Sequence, residues 1–208
     1  MPPFRAALAT SATIATDAPA GTAHPQRAAV QIRPLQASDA AAYKALRDEA
    51  LRSAPDAFTS DYESSVGRSA DSYVGRFGDP ASGQFFLGAF DDTGALLGCV
   101  GCEREQRTKQ QHCAVVVGMM VSPQAQRRGI GQQLMAACIH LARQVPGLTQ
   151  LVLTVTASNT HVVRLYEQAG FRAWGLLPGA IVVNGVPYDK LHMLLLLPSA
   201  PTPVAIAT

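Results

Sequence analysis

The chain has 208 residues, 48% of them hydrophobic, with 17 Lys and Arg against 15 Asp and Glu for a net charge of +2. That length suits one packed domain with tails, and so small a charge without a long basic run argues against a nucleic-acid partner. No apolar stretch reaches the ~18–20 residues of a membrane-crossing helix, so no membrane partner is expected.

Residues 1–28 are rich in Ala, Thr and Pro and carry no apolar periodicity, so they are expected to lie outside the packed domain. They hold no long apolar core of a secretion signal. The domain is expected over 29–197, with 198–208 as a tail. Val30, Gln31 and Ile32 read as a short first strand. Ser38 and Asp39 can cap a helix running to about Arg52, whose apolar residues include Tyr43, Leu46 and Leu51. A second helix is expected within 62–77, interrupted by Gly67 and Gly75. Residues 84–90 and 95–103 flank the turn Asp91-Asp92-Thr93-Gly94 and read as a hairpin.

The stretch 115–140, VVVGMMVSPQAQRRGIGQQLMAACIH, is the most informative. Val115, Val116 and Val117 open it as a buried strand, and Ser122-Pro123 ends that strand, because Pro cannot continue a ladder. After Gly131, the residues Leu134, Met135, Cys138 and Leu141 recur at helical steps. A basic, glycine-bearing turn therefore joins a strand to a helix. The first N–H groups of a helix have no intrahelical partner and carry partial positive charge. Gly129 and Gly131 allow close approach to that backbone, and Arg127 and Arg128 add formal charge. Such a turn suits a phosphate-bearing ligand, and is equally compatible with solvated arginines on an ordinary connection. Neither a G-x-x-x-x-G-K-[ST] nor a G-x-G-x-x-G pattern is present.

Residues 151–155, LVLTV, read as an inner strand. Asn159 can cap a helix that passes Tyr166 and stops at Gly170. Seven residues separate Asn159 from Tyr166, so they lie on nearly one helix face. On their own they read as a cap and a half-buried aromatic. Residues 171–183 and 186–197 flank Asn184-Gly185, the strongest short hairpin signal. The elements predict an α/β (α+β) fold, a mixed and mostly antiparallel sheet of about six to seven strands with helices on both faces. Among four cysteines, Cys99 and Cys102 form a C-x-x-C within a strand-like run. Three residues apart on a strand they face opposite ways and cannot share zinc, so no metal site is expected. A reducing, cytoplasmic setting is the natural fit.

Together these motifs resemble the GNAT superfamily of acetyl-CoA-dependent N-acetyltransferases. Gln126-Arg127-Arg128-Gly129-Ile130-Gly131 matches the Q/R-x-x-G-x-G/A loop of that family. Asn159 through Phe171 matches N-x-x-A-x-x-L-Y-x-x-x-G-F, with Val162 where Ala is usual. The resemblance implies acetyl-CoA as co-substrate and a primary amine as acceptor; a homodimer is a candidate assembly. It implies that backbone groups of Met119, Met120 and Val121 pair with pantetheine. It also implies that the amides of Gln126, Arg127, Arg128, Gly129, Ile130, Gly131 and Gln132 hold the pyrophosphate, and that Asn159 contacts the pantetheine arm.

Transfer then requires a fixed donor for the developing oxyanion. A backbone N–H near Met119 or Met120 is suitably placed if the strand is bulged there. Tyr166 is the candidate acid for the leaving thiolate. The expected base is less specific. The strand before the loop has no Glu, and Thr154 stands where ribosomal-protein acetyltransferases often carry one. Glu103, His112 and the Tyr188-Asp189 pair are the candidates left, with His112 the best placed by sequence. A non-catalytic acyl-CoA-binding module would keep the loop but not need Tyr166, and Met119 and Met120 could line a slot for a longer acyl chain.

Overall fold

In the computed structural model, which describes residues 30–198, one sheet runs through the domain in the order β1-β3-β4-β5-β6-β8-β7. Its strands are β1 (Gln31–Pro34), β3 (Gln84–Phe90), β4 (Leu96–Arg104), β5 (Cys113–Val121), β6 (Gln150–Thr156), β7 (Arg172–Val183) and β8 (Val186–Leu196). The two-residue β2 (Gly78–Asp79) pairs with β3 beside this path and is too short to leave a periodic signal. Every pairing is antiparallel except β5 with β6. The mixed, mostly antiparallel sheet expected from the sequence is therefore present. The expectations for the two tails fall outside the described residues.

Alternation along the inner strands divides the core between the two faces of the sheet. Phe85, Leu87, Val100 and Cys102 face one side, where α3 (Ile130–Ala142) contributes Ile130, Leu134, Met135 and Cys138. The helix α4 (Thr160–Gln168) joins the same cluster through Tyr166, Val162 and Leu165. Phe86, Phe90, Cys99 and Met120 face the other side, against Tyr43 and Leu46 of α1 (Ala40–Ser53). Fully burying one such aliphatic or aromatic side chain is worth about 1.5–3 kcal/mol, so both faces are firmly held. Cys99 and Cys102 fall in different clusters, as strand alternation requires.

The turns follow local chemistry. Asn184 and Gly185 both have positive φ, 49° and 78°, the conformation of a two-residue type I′ hairpin turn. Asp91 Oδ1 accepts hydrogen bonds from the backbone N–H groups of Thr93 and Ala95, closing the β3–β4 turn. Gly170, with φ 98°, ends α4.

Two local expectations are modified. Residues 62–77 form a short helix α2 (Tyr62–Val66) followed by a 3-10 run over Ala70–Arg76, not one continuous helix. Gly67 is the C-cap of α2, where a glycine ends a helix more easily than it extends one. Asp39 does not cap α1 directly. Its carboxylate accepts from the Gln36 N–H at 2.7 Å and from both terminal nitrogens of Arg33, which ties β1 to the 3-10 turn leading into α1.

The hydrogen bond from Arg33, the largest influence, holds the Asp39 carboxyl below the usual aspartate range. A carboxylate lowered in the folded state stabilises the fold above its unfolded pKa of ~3.9 and loses that contribution as pH falls through the folded value. Asp39→Asn is expected to cost on the order of 1–2 kcal/mol at pH 7. The deficit should narrow in urea melts near pH 3, and an undiminished deficit there would show that the charge is not its origin.

Candidate active site

The site begins where two strands part. β5 and β6 pair in parallel at Cys113↔Gln150, Ala114↔Leu151 and Val115↔Val152, and the pairing stops there. Beyond it β5 stays with β4, while β6 continues with β8 as far as Thr156↔Lys190. A bulge helps to turn β5 away. Between the pairs Gly101↔Val117 and Cys99↔Met120, β4 has one residue and β5 has two. The extra residue falls at Gly118–Met119, and Gly118 takes φ 58°. A bulge of this kind bends its strand and re-aims its backbone groups. The backbone of 116–121 on the β6 side thus has no strand partner among the described residues.

The opening is a cleft of about 1310 Å³. At one end the chain passes a 3-10 turn, Pro123–Ala125, and enters α3 through Gln126 and the two arginines. Arg127 is held at φ 60° and Gly129 at φ 78°. Positive φ in a non-glycine residue costs of order 1–3 kcal/mol, and such strain concentrates where backbone groups must converge on a ligand. Among the described residues no side chain caps α3. Its first N–H groups, those of Ile130, Gly131 and Gln132, are the orphan donors of the helix and carry its positive end. A Cβ on Gly131 would lie 3.0 Å from Leu165 Cδ1, so the glycine lets the first turn of α3 close against α4. Gln132 and Gln168 bridge the same two helices at 3.2 Å.

The second strand–helix unit supplies the opposite wall. Asn159 caps α4, its Oδ1 accepting from Val162 N–H at 3.3 Å, which leaves its amide NH₂ for other partners. Tyr166 is buried, packs edge-on against Phe171 at 6.1 Å and lines the cleft. Burial, and secondarily the nearby Cys138, pushes its phenol well above the usual tyrosine range. It therefore stays protonated throughout the neutral range.

Met119, Met120, Val121, Gln126, Arg127, Gly129, Ile130, Gly131, Gln132, Asn159 and Tyr166 all line this one cleft. Five residues named from the sequence do not. Arg128 is exposed and outside the lining. His112 is exposed at the start of β5, ~25 Å along the strand from Met120, with only its carbonyl engaged, accepting from Thr149 and Gln150 N–H. Glu103 Oε1 accepts from Arg76 Nε and Nη2 at 3.0 and 2.8 Å, so its carboxylate is committed to an ion pair outside the lining. The Tyr188-Asp189 pair is also outside the lining, and Asp189 accepts from Gly179 N–H.

Folding brings further residues to the cleft. Arg47 of α1, the loop residues 57–60, Arg76 and Lys190 all line it. Lys190 is buried, and its Nζ donates to Thr156 Oγ1 at 2.8 Å and to the Ala57 and Asp56 carbonyls at 3.1 and 3.5 Å. Desolvation pushes its pKa down. One lysine thus pins the α1–α2 connection to the middle of the sheet. The sole sequence signal was a lysine interrupting the apolar run of the last strand.

The acetyltransferase (GNAT) family model matches residues 43–171. The chain belongs to that family. A mycothiol acetyltransferase from Salinispora tropica is 37% identical over 89 residues, which is 43% of this chain and 29% of that protein. The chain thus spans well under half the length of that relative. Among solved structures, a GNAT acetyltransferase from Streptococcus pneumoniae superposes with a TM-score of 0.74 at 22% identity, covering 82% of this chain and 100% of the other. A phosphinothricin acetyltransferase from Sinorhizobium meliloti, in complex with acetyl-CoA, superposes at 0.64 with 18% identity, covering 81% and 88%. At those identities the structural likeness is one of fold.

Replacing Lys190 with Met should leave Thr156 Oγ1 and the Ala57 carbonyl short of a buried donor, while the Asp56 carbonyl keeps the Thr156 hydroxyl, at a cost of about 1–3 kcal/mol. Hydrogen exchange at the Ala57 amide, which bonds to Ala54 O, should accelerate in the variant. Unchanged exchange there would mean that the connection is held by other contacts.

Proposed function

We propose that the chain is an N-acetyltransferase, moving the acetyl group of acetyl-CoA to a primary amine by direct attack. The observation that carries this reading is the bulged, half-unpaired β5 leading straight into the uncapped, glycine-lined start of α3. The family membership and the acetyl-CoA in the Sinorhizobium relative support it. In this reading the unpaired groups of residues 119–121 take the amides of the pantetheine arm as a missing strand would. The N–H groups at residues 126–132 and the Arg127 guanidinium take the pyrophosphate. The NH₂ of Asn159 reaches the same arm.

Acetyl transfer forms a C–N bond and breaks a C–S bond. The amine must arrive neutral, and an alkyl ammonium has a pKa near ~10. With Glu103 and His112 outside the cleft, water is the proton acceptor this geometry favours. A backbone N–H at the bulge would donate to the carbonyl oxygen on which charge builds. Tyr166 would give its proton to the departing sulfur. A thiol has an ordinary pKa of ~8.5, below that of the buried phenol, so donation must accompany C–S cleavage. The phenolate then recovers a proton from water.

Acetyl-CoA, binding only the folded state, should stabilise it by about 2.7 kcal/mol at a hundredfold excess over its dissociation constant. Gly129→Glu places a negative side chain where the pyrophosphate is assigned. Apart from its chain neighbours and the backbone of α3, nothing lies nearer than 3.7 Å to a Cβ there, but a side chain at φ 78° is strained, so the melting temperature without ligand reads that strain and the acetyl-CoA-induced shift reads binding. An unchanged melting shift in Gly129→Glu would remove the assignment.

Tyr166→Phe keeps the ring and its packing on Phe171. It should lower kcat by ~10²–10⁴-fold while acetyl-CoA affinity and melting temperature barely move. Full acetyl transfer by the Phe variant would leave Tyr166 a packing residue, with water as the donor.

A further inference from the structure

The charges around the cleft are one-sided. Arg47, Arg76, Arg127, Arg164 and Lys190 line it, and among the described residues no Asp or Glu does. Lys190 is spent on Thr156 and the Asp56 and Ala57 carbonyls. Arg127 belongs to the turn before α3, and Arg164 is an exposed residue of α4. Arg47 and Arg76 stand apart from these, on the α1 face of the sheet.

Arg47 is only 8% exposed, yet its Nε has no hydrogen-bond partner among the described residues. Nε is closed off from the cleft, as is the equally unpartnered Tyr43 hydroxyl, but the two terminal nitrogens of Arg47 are not closed off and have no hydrogen-bond or ion-pair partner among the described residues, so they are the donors that an anionic group in the cleft could meet. The Arg47 guanidinium lies 5.8 Å from the centre of the Tyr73 ring. Arg76 lies 4.9 Å from the centre of the Phe86 ring, and that ring is the atom group a Cβ on Gly118 would touch at 3.3 Å. Arg76 and Gly118 both line the cleft. Glu103 orients Arg76 through Nε and Nη2, which leaves Nη1 available.

Resting on the acetyl-transfer reading, we infer that the acceptor is a small primary amine carrying an acidic group, a carboxylate or a phosphonate, held by Arg47 and Arg76. A planar guanidinium fork binds two oxygens of such a group at once. The same cationic wall repels acceptors with several ammonium groups, which excludes polyamines and aminoglycosides. It also disfavours the protonated form of the acceptor amine, since like charges lower an ammonium pKa. A cleft without a carboxylate base can thereby still draw on neutral amine.

The test uses the full chain, acetyl-CoA and four matched amines: 4-aminobutyrate, 3-aminopropylphosphonate, 4-aminobutyramide and putrescine. One or both acidic amines should exceed the amide and putrescine by roughly tenfold or more in kcat/KM, and the ratio between the two acidic amines tells carboxylate from phosphonate. Arg47→Met should raise the acidic acceptor's KM on the order of 10- to 100-fold with the acetyl-CoA dissociation constant unchanged, and that constant also reports that the variant is folded. Arg47→Lys should recover part of the loss, and Arg76→Met should raise KM in the same direction. A chain that binds acetyl-CoA but shows no preference for an acidic amine overturns the acceptor assignment alone. So does an Arg47→Met variant with unaltered KM. A chain that does not bind acetyl-CoA overturns the acetyl-transfer reading and this one with it.

Discussion

The parting of β5 from β6 after three paired residues is the constraint on which the rest of the structure depends. Two parallel strands in the middle of a sheet would ordinarily continue side by side and satisfy each other's backbone groups. Here the bulge at Gly118 bends β5 away, and the groups it would have offered to β6 face a cleft. Unpaired backbone in a sheet interior is tolerable only where water or a ligand takes the hydrogen bonds. The same bend carries Val121 into the 3-10 turn and delivers the start of α3 to the end of the opening. One irregularity thus makes both a strand edge and a helix terminus available to a ligand.

The sheet holds this opening because it is anchored on both faces. On one side α3 and α4 close on each other, with Gly131 against Leu165, so the two motif-bearing helices cannot drift apart. On the other side an aromatic cluster of Tyr43, Tyr73, Phe77 and Phe86 fixes α1 and the following 3-10 run. Tyr73 and Phe86 of that cluster are also the rings over which Arg47 and Arg76 lie. Packing and charge placement are therefore the same construction on this face. Lys190 completes it by tying the α1–α2 connection to β6 and β8.

Local patterns carried much of this in the sequence. Asn184-Gly185 announced its hairpin because few residue pairs accept two positive φ values in succession. The C-x-x-C was legible as two separated thiols, since strand alternation alone sends residues 99 and 102 to opposite faces. The turn Gln126-Arg127-Arg128-Gly129-Ile130-Gly131 and the run from Asn159 to Phe171 were legible because each is contiguous, its spacing set by the strand and helix it joins. The short α2 and the 3-10 run were less so, since their shape is settled by how Tyr73 and Phe77 pack on α1.

What the sequence by itself determined is the set of elements and the two contiguous motifs, because turn chemistry and hydrophobic period act over a few residues. What only the tertiary structure decided is which charged side chains share the cleft. His112 looked well placed because it precedes β5, but a strand rises about 3.3 Å per residue and leaves it at the far end. Glu103 carries a suitable group, yet the partner it meets, Arg76, comes from a distant position in the chain, and Arg128 is exposed outside the cleft. Arg47, Arg76 and Lys190 belong to no local pattern. They converge because strand order and the packing of α1 bring residues more than a hundred positions apart to one opening, and no spacing along the chain encodes that distance.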